Sequence, residues 1–268
     1  MQKRTLSEPE TLLLAKLDRE DRRVLRIPED MPLLVGVAGT STSARALIDS
    51  LAAKNWIVQI RRGLWAVRSR ALTLEASALE IVGCVSPEMH LVTAGRALAE
   101  HQLSDQAFRS IVVVTSARVR NWQWQGETVR YVTMPAARIW GAAERSWLLP
   151  TRLASEERAL LDSLAHPRWG VSLAHVVEAL ARYLDRVRET DKLALTTARY
   201  RNAHVARRLG FLIEHLGGEG QALPFRALRG RTKGTVPLDL TVPAERQPHH
   251  DSRWGIRFQD IDNLIGAR

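Results

Sequence analysis

The 268-residue sequence predicts an α+β protein: helices and a β-hairpin within residues 1–70, then a larger mixed α/β region over residues 71–268. Three observations lead there. Residues 40–67 switch from helical spacing of apolar residues to a short alternating pattern broken at Gly63. Ile111-Val112-Val113-Val114 is a β-branched run that suits a buried strand. Residues 156–216 return to helical spacing, with Pro167 and the Gly217-Gly218 pair as stops.

Taken in order, Ser7-Glu8-Pro9-Glu10 has the spacing of a capping box and opens a first helix with Leu13, Leu14 and Leu17 on its apolar face. Residues 18–30 are densely charged, contain Pro28, and read as a turn leading to a second helix around Leu33-Leu34-Val35. A third helix starts at Thr40 or Ser41, whose hydroxyl caps a free amide of the first turn. Ala44, Leu47, Ile48 and Leu51 share its buried face, which leaves Thr42, Ser43, Arg45, Ala46 and Asp49 off it. Alternation along residues 56–61 assigns Trp56, Val58 and Ile60 to the helix side, and Ile57, Gln59 and Arg61 to the other. Gly63 supplies the turn and Leu64 to Val67 the returning strand.

Three helices followed by a basic-tipped hairpin give the outline of a winged helix-turn-helix. A short polar helix face with one long cation suits a DNA major groove. A helix simply packed on a hairpin, with Arg61-Arg62-Gly63 as a solvated loop, fits the same residues.

In the larger region, residues 68–80 read as a connector that becomes helical, and residues 89–103 as a helix rich in small residues. Residues 117–134 alternate on either side of Gly126 as a hairpin that Pro135 ends. Further helices are expected over 156–164, 173–184 and about 205–216, then a loop-rich stretch over 218–252 and a final strand and short helix.

Composition narrows the function classes. With 45% hydrophobic residues the chain builds a proper core, and its net charge of +10 favours polyanionic partners. The first 72 residues carry 13 Lys and Arg against 8 Asp and Glu, half of that net charge. A single cysteine, Cys84, excludes an internal disulfide and a multi-cysteine zinc site. The N-terminus has no apolar run of the secretory kind and no stretch reaches the ~18 consecutive apolar residues of a membrane span, so a cytoplasmic protein is expected.

The order of motifs resembles the AbiEi family of antitoxins, from bacterial abortive-infection toxin–antitoxin pairs. Arg61 to Val67 resembles its R-G-L-Y-x-V signature, with Trp65 for tyrosine. Ala97-Leu98 with His101 and Leu103 resembles A-L-x-x-H-G-L, with Gln102 for glycine, and Ile111 to Thr115 resembles a V-V-V-T strand followed by basic residues, here Arg118 and Arg120. Glu157 to Asp162, followed by Pro167 and Gly170, resembles E-K-x-L-x-D, and Arg208 to Leu212 resembles R-L-G-Y-L. Leu238-Asp239 and Trp254 resemble the closing motifs, with Gln259 near the place of an asparagine.

The resemblance implies a winged helix that binds the promoter of its own operon, and a C-terminal antitoxin domain that counteracts a nucleotidyltransferase-like toxin. The expected protein is therefore no enzyme and uses no cofactor or metal. Ser41, Thr42, Ser43, Arg45 and Asp49 would face base edges, while Lys54, Arg61 and Arg62 would meet phosphates. Outside the wing, Arg199, Arg201, Arg207 and Arg208 form one basic group at a helix start and Arg229, Arg231 and Lys233 another in a loop, each read as a solvated surface or as an antitoxicity or nucleic-acid contact. Two modules on a repeated operator are expected, as a dimer or as monomers. The rival class is a protein-binding neutraliser of the toxin without significant DNA binding, and a third is a nuclease using carboxylates such as Glu156, Glu157 and Asp162. His249-His250 reads as a solvated pair in a Pro-rich loop.

Overall fold

The computed structural model describes residues 5–68, 76–86, 88–143, 151–187, 190–230 and 234–266. The chain is mixed α/β, and its internal contacts divide it into two units, Met1–Ser86 with Leu148–Thr151, and Pro87–Trp147 with Arg152–Arg268.

The first unit runs α1 (Glu8–Arg19), β1 (Val24–Arg26), α2 (Met31–Ala38), α3 (Ser41–Ala53), β2 (Ile57–Arg61), β3 (Leu64–Val67) and α4 (Ala78–Val85). The box at the start of α1 forms as expected, with a Glu10 carboxylate oxygen accepting the Ser7 amide at 2.6 Å. Leu13, Leu17, Leu34 and Leu51 are fully buried between α1, α2 and α3. Each such leucine contributes about 1.5–3 kcal/mol, and an eight-residue helix like α2 depends on that packing because it is too short to persist alone.

Two expectations change here. The charged stretch before α2 holds a strand: β1 pairs antiparallel with β3, giving a sheet ordered β1-β3-β2. Only Leu25 of its three residues is buried, so no alternation could announce it. The hairpin also presents the opposite face to the helices. Trp56 packs against the helical core as expected, but Ile57 and Val67, cross-strand partners, enter it, whereas Val58 and Ile60 are only half-buried and lie outside it. Leu25 and Trp65 share that inner face, and once β1 makes the sheet three-stranded they fix which side turns inward. Helix α4 belongs to this unit, so the unit reaches beyond residue 70. Ser77 and Glu80 cap each other at its start, and Glu80 meets Arg23 at 3.4 Å. Residues 69–75, part of the expected connector, lie outside the described residues.

The second unit begins with β4 (His90–Thr93), α5 (Ala94–Glu100), β5 (Ser110–Thr115), β6 (Trp122–Trp124) and β7 (Glu127–Thr133). The sheet order is β4-β5-β7-β6, with β5 and β7 parallel and the outer pairs antiparallel. The 89–103 segment expected as one helix is a strand turning into a helix, because Val92 and Thr93 pair with Val113 and Val112. The hairpin about Gly126 is present as β6 and β7.

Helices α6 (Glu156–Ala165), α7 (Leu173–Arg186), α8 (Asp191–Tyr200), α9 (Ala203–Gly217) and α10 (Glu219–Arg226) follow. Of these, α8 was not foreseen, and α10 lies in the stretch expected to be loop. The chain closes with β8 (Val236–Pro237), β9 (His249–Asp251), β10 (Ile256–Phe258) and α11 (Ile261–Ile265), with a small sheet ordered β8-β10-β9. Among the described residues no single helix is long and apolar enough to cross a membrane.

Candidate nucleic-acid interface

Helices α2 and α3 are separated by a two-residue break and bent by 94° relative to each other. Thr40 caps α3: its hydroxyl oxygen accepts the Ser43 amide at 3.1 Å and its hydroxyl donates to Ser43 Oγ at 2.9 Å. Ala44, Leu47, Ile48 and Leu51 are buried as their spacing required, and Ser41, Thr42, Ser43, Arg45, Ala46 and Asp49 are exposed. Arg45 and Asp49 stand one turn apart without forming an ion pair, so the guanidinium is left to solvent.

Across from this face stands the β2–β3 turn. Gly63 takes φ +77°, and a Cβ there would lie 2.7 Å from the carbonyl oxygen of Ile27, so this turn requires glycine. The Gly63 carbonyl in turn accepts the Ile27 amide at 2.7 Å, which ties the turn to the end of β1. Arg61 and Arg62 project from it, exposed and without a carboxylate partner among the described residues. Between α3 and the turn lies a cleft of about 570 Å³ with Arg45, Asp49, Arg62 and Trp65 at its sides and Ile27, Met31 and Ile48 beneath.

Arg26, at the end of β1, is exposed but does not line this cleft; it lines a separate pocket with Arg22, Arg23, Asp30, Glu80 and Cys84.

Lys54 departs from the expected phosphate contact. Its Nζ donates to both carboxylate oxygens of Glu10, at 2.8 and 2.7 Å, and to the Thr5 carbonyl at 3.1 Å. Glu10 is 1% exposed and also accepts from the Ser7 amide and the Ser50 hydroxyl. Burial alone would raise the pKa of this carboxyl; the donors from Lys54, Ser7 and Ser50 outweigh it and hold the value at about 2. Lys54 is therefore committed to clamping α1 onto the end of α3.

The two basic groups expected outside the wing change in part: Arg199 and Arg201 are exposed, but Arg207 and Arg208 are not. Arg207 and Arg208 are 5% and 3% exposed, so neither forms a surface. Arg207 donates to the carbonyls of Arg229 and Gly234, at 3.1 and 3.0 Å, and holds that loop. Arg208 donates to the Leu164 and His204 carbonyls, and burial lowers its pKa to about 10. Both arginines face inward on α9 because the loop and the end of α6 offer them unpaired carbonyls. Arg229 is half-buried with its guanidinium on the Arg253 carbonyl. Arg231 and Lys233 lie outside the described residues.

The carboxylates weighed for hydrolysis do not converge. Glu157 is buried against Tyr183 and Lys192, at 3.1 Å each. Asp162, fully buried, accepts from Thr93 at 2.7 Å, Arg158 at 2.9 Å and Tyr200 at 2.9 Å. Among the described residues no group of three or more His, Cys, Asp or Glu side chains could hold a metal ion.

Some motif residues of the second unit are packing positions, whereas Gln102, Arg118 and Arg120 are exposed. Gln102, where the quoted motif has glycine, takes φ +58°. Gly210 lies under the Trp254 ring, and a Cβ there would come within 2.2 Å of it, so the two positions depend on each other. Trp254 also donates to Glu214 at 2.8 Å, and the Gln247 side-chain oxygen accepts the amides of Leu238 and Asp239.

Fold and site together define a two-unit α+β protein with an exposed cationic helix-and-hairpin face. No family model and no curated protein matches the chain. Among solved structures, the RV2827C protein from Mycobacterium tuberculosis is similar over 99% of this chain and 96% of that one, with a TM-score of 0.66 at 14% sequence identity. That likeness shows the fold.

Proposed function

We propose that the first unit is a winged helix-turn-helix that binds duplex DNA, and that the chain is an antitoxin that represses its own toxin–antitoxin operon and counteracts a nucleotidyltransferase-like toxin. One observation carries the DNA-binding part: Arg45 on α3 and Arg62 on the hairpin flank one cleft, Arg61 is exposed beside Arg62, and none of the three forms an ion pair among the described residues, while Arg22, Arg23 and Lys54 of the same unit are paired with acids. Cations left free at the edge of a helix bent 94° from its neighbour suit phosphates and base edges. The antitoxin part rests on the ordered motifs from Arg61 to Trp254 that resemble the AbiEi family.

In this reading Thr42, Arg45 and Asp49 face base edges, and Arg61 and Arg62 meet the backbone. Lys54 drops out of the contact set. Ser43, whose amide and hydroxyl both serve the cap, contributes to helix shape before recognition. No metal or cofactor enters the proposal.

A mobility-shift titration against the DNA upstream of the gene, at two salt concentrations, tests it. Binding that resists unrelated competitor DNA and weakens with salt is expected. Arg45→Ser should cost about 1–3 kcal/mol and relax preference at one base position. Toxin neutralisation by the chain without any DNA binding would instead favour the protein-binding reading.

A further inference from the structure

In the second unit one cluster of arginines gathers about a single fully buried carboxylate, Asp162. At its centre Arg158, 2% exposed, pairs with Asp162 and donates to the carbonyls of Arg138 and Trp140, at 3.2 and 3.5 Å. Two guanidiniums lie over the Trp140 ring: Arg158 is 4.5 Å from its centroid and Arg199 4.4 Å. Tyr200 meets the same tryptophan edge-on and donates to Asp162. Arg138 and Arg199 are exposed beside this stack, Arg201 is exposed next to Tyr200 in the chain, and none of the three has an acidic partner among the described residues.

Asp162 already accepts three donors, so it offers little to these outer cations. His166, beside Tyr200, registers the imbalance: burial lowers its pKa, and Arg158, Arg208 and Arg138 press it lower against the single opposing charge of Asp162. A net positive field, with Asp162 spent on Arg158, attracts a polyanion. The stack adds geometry, because a guanidinium resting on an indole is restricted in orientation and loses less freedom when it meets a phosphate.

The aromatic rings decide which polyanion fits. Single-stranded recognition needs open ring faces on which bases stack. Here Trp140 already carries two guanidiniums and Trp169 is stacked under His166 at 4.1 Å. What remains exposed is charge, which suits the backbone of a duplex read without regard to sequence.

We propose that Arg138, Arg199 and Arg201, supported by the Arg158–Trp140 stack, form a second phosphate-binding surface for duplex DNA that works independently of the hairpin. It deepens the DNA-binding reading above, and it is tested separately from it. In the full-length chain, Arg138, Arg199 and Arg201 are replaced together by Ser, and in a second variant together by Lys. Arg45, Arg61 and Arg62 are replaced by Ser in a third. Affinity for operator and for unrelated duplex is measured between 50 and 200 mM salt, and thermal unfolding reports on folding of each variant.

Losing three phosphate contacts should flatten the salt slope by about 2.7, so the wild-type affinity should fall about 40-fold more than the Ser variant's across that range. Preference for operator over unrelated duplex should be unchanged, and the Lys variant should keep most of the slope. Three results would overturn the proposal: an unaltered slope in a folded Ser variant, tighter binding of single-stranded RNA than of duplex at this surface, or displacement of DNA by polyglutamate at matched charge. If the third variant keeps its operator preference, the hairpin reading fails, while the slope change on unrelated duplex still decides the second surface.

Discussion

Replacing Glu10 by Gln isolates the clamp that takes Lys54 away from DNA. The carboxyl is held at about 2 against an ordinary 4.5, and each pH unit of that gap corresponds to about 1.4 kcal/mol. That sets a ceiling of roughly 3 kcal/mol. Because 31% of the Lys54 side chain remains exposed, solvent screening brings the expected loss at pH 7 to about 1–2 kcal/mol. The folded carboxyl titrates below its unfolded value, so its contribution is complete above about pH 4.5 and disappears as the pH falls towards 2.

Urea unfolding of the full chain at pH 7, 4.5 and 3, with hydrogen exchange of the α1 amides as a local readout, follows the difference between wild type and Glu10→Gln. The gap should persist at pH 7, begin to narrow near 4.5 and be smaller at 3. Lys54→Met should cost a similar amount and leave the salt dependence of DNA binding as it is. A gap that stays constant to pH 3 would refute the linkage. A Lys54→Met protein with full stability and a flattened salt slope would return Lys54 to the DNA contacts.

Three other outcomes follow from specific contacts. Asp162→Asn leaves the Arg158 guanidinium buried without its counter-charge and should destabilise the second unit by about 3–5 kcal/mol in urea titrations; a loss under about 1 kcal/mol would contradict that. Gly210→Ala drives a methyl into the Trp254 ring and should cost about 1–3 kcal/mol, measured by thermal unfolding with tryptophan fluorescence. Gly63→Ala strains a left-handed turn against the Ile27 carbonyl, so DNA binding should weaken while unfolding of the second unit stays unchanged.

Much of the first unit was legible because its helices obey local rules. Ser7 with Glu10 and the four apolar positions of α3 say where two helices start and which face of α3 is buried. The strand β1 was not, since Val24-Leu25-Arg26 earns its structure only from pairing with β3. That pairing also inverted the hairpin's face, because alternation gives two sets of residues without saying which turns inward.

For the site, exposure of Arg45, Arg61 and Arg62 agreed with the pattern, whereas Lys54, Arg207 and Arg208 are long side chains whose partners lie 20 or more residues away for their key contacts. Nothing local announces a carbonyl waiting in another element. The motif residues of the second unit show the same limit from the other side: Gly210 and Trp254 are 44 positions apart in number yet in contact.

Hydrogen–deuterium exchange of the full chain with and without its upstream DNA tests the central claim most directly. Slowed exchange at the start of α3 and across the β2–β3 turn, lost when Arg45, Arg61 and Arg62 are replaced by Ser, is the predicted result. DNA bound tightly with both segments exchanging as in the free protein would contradict it.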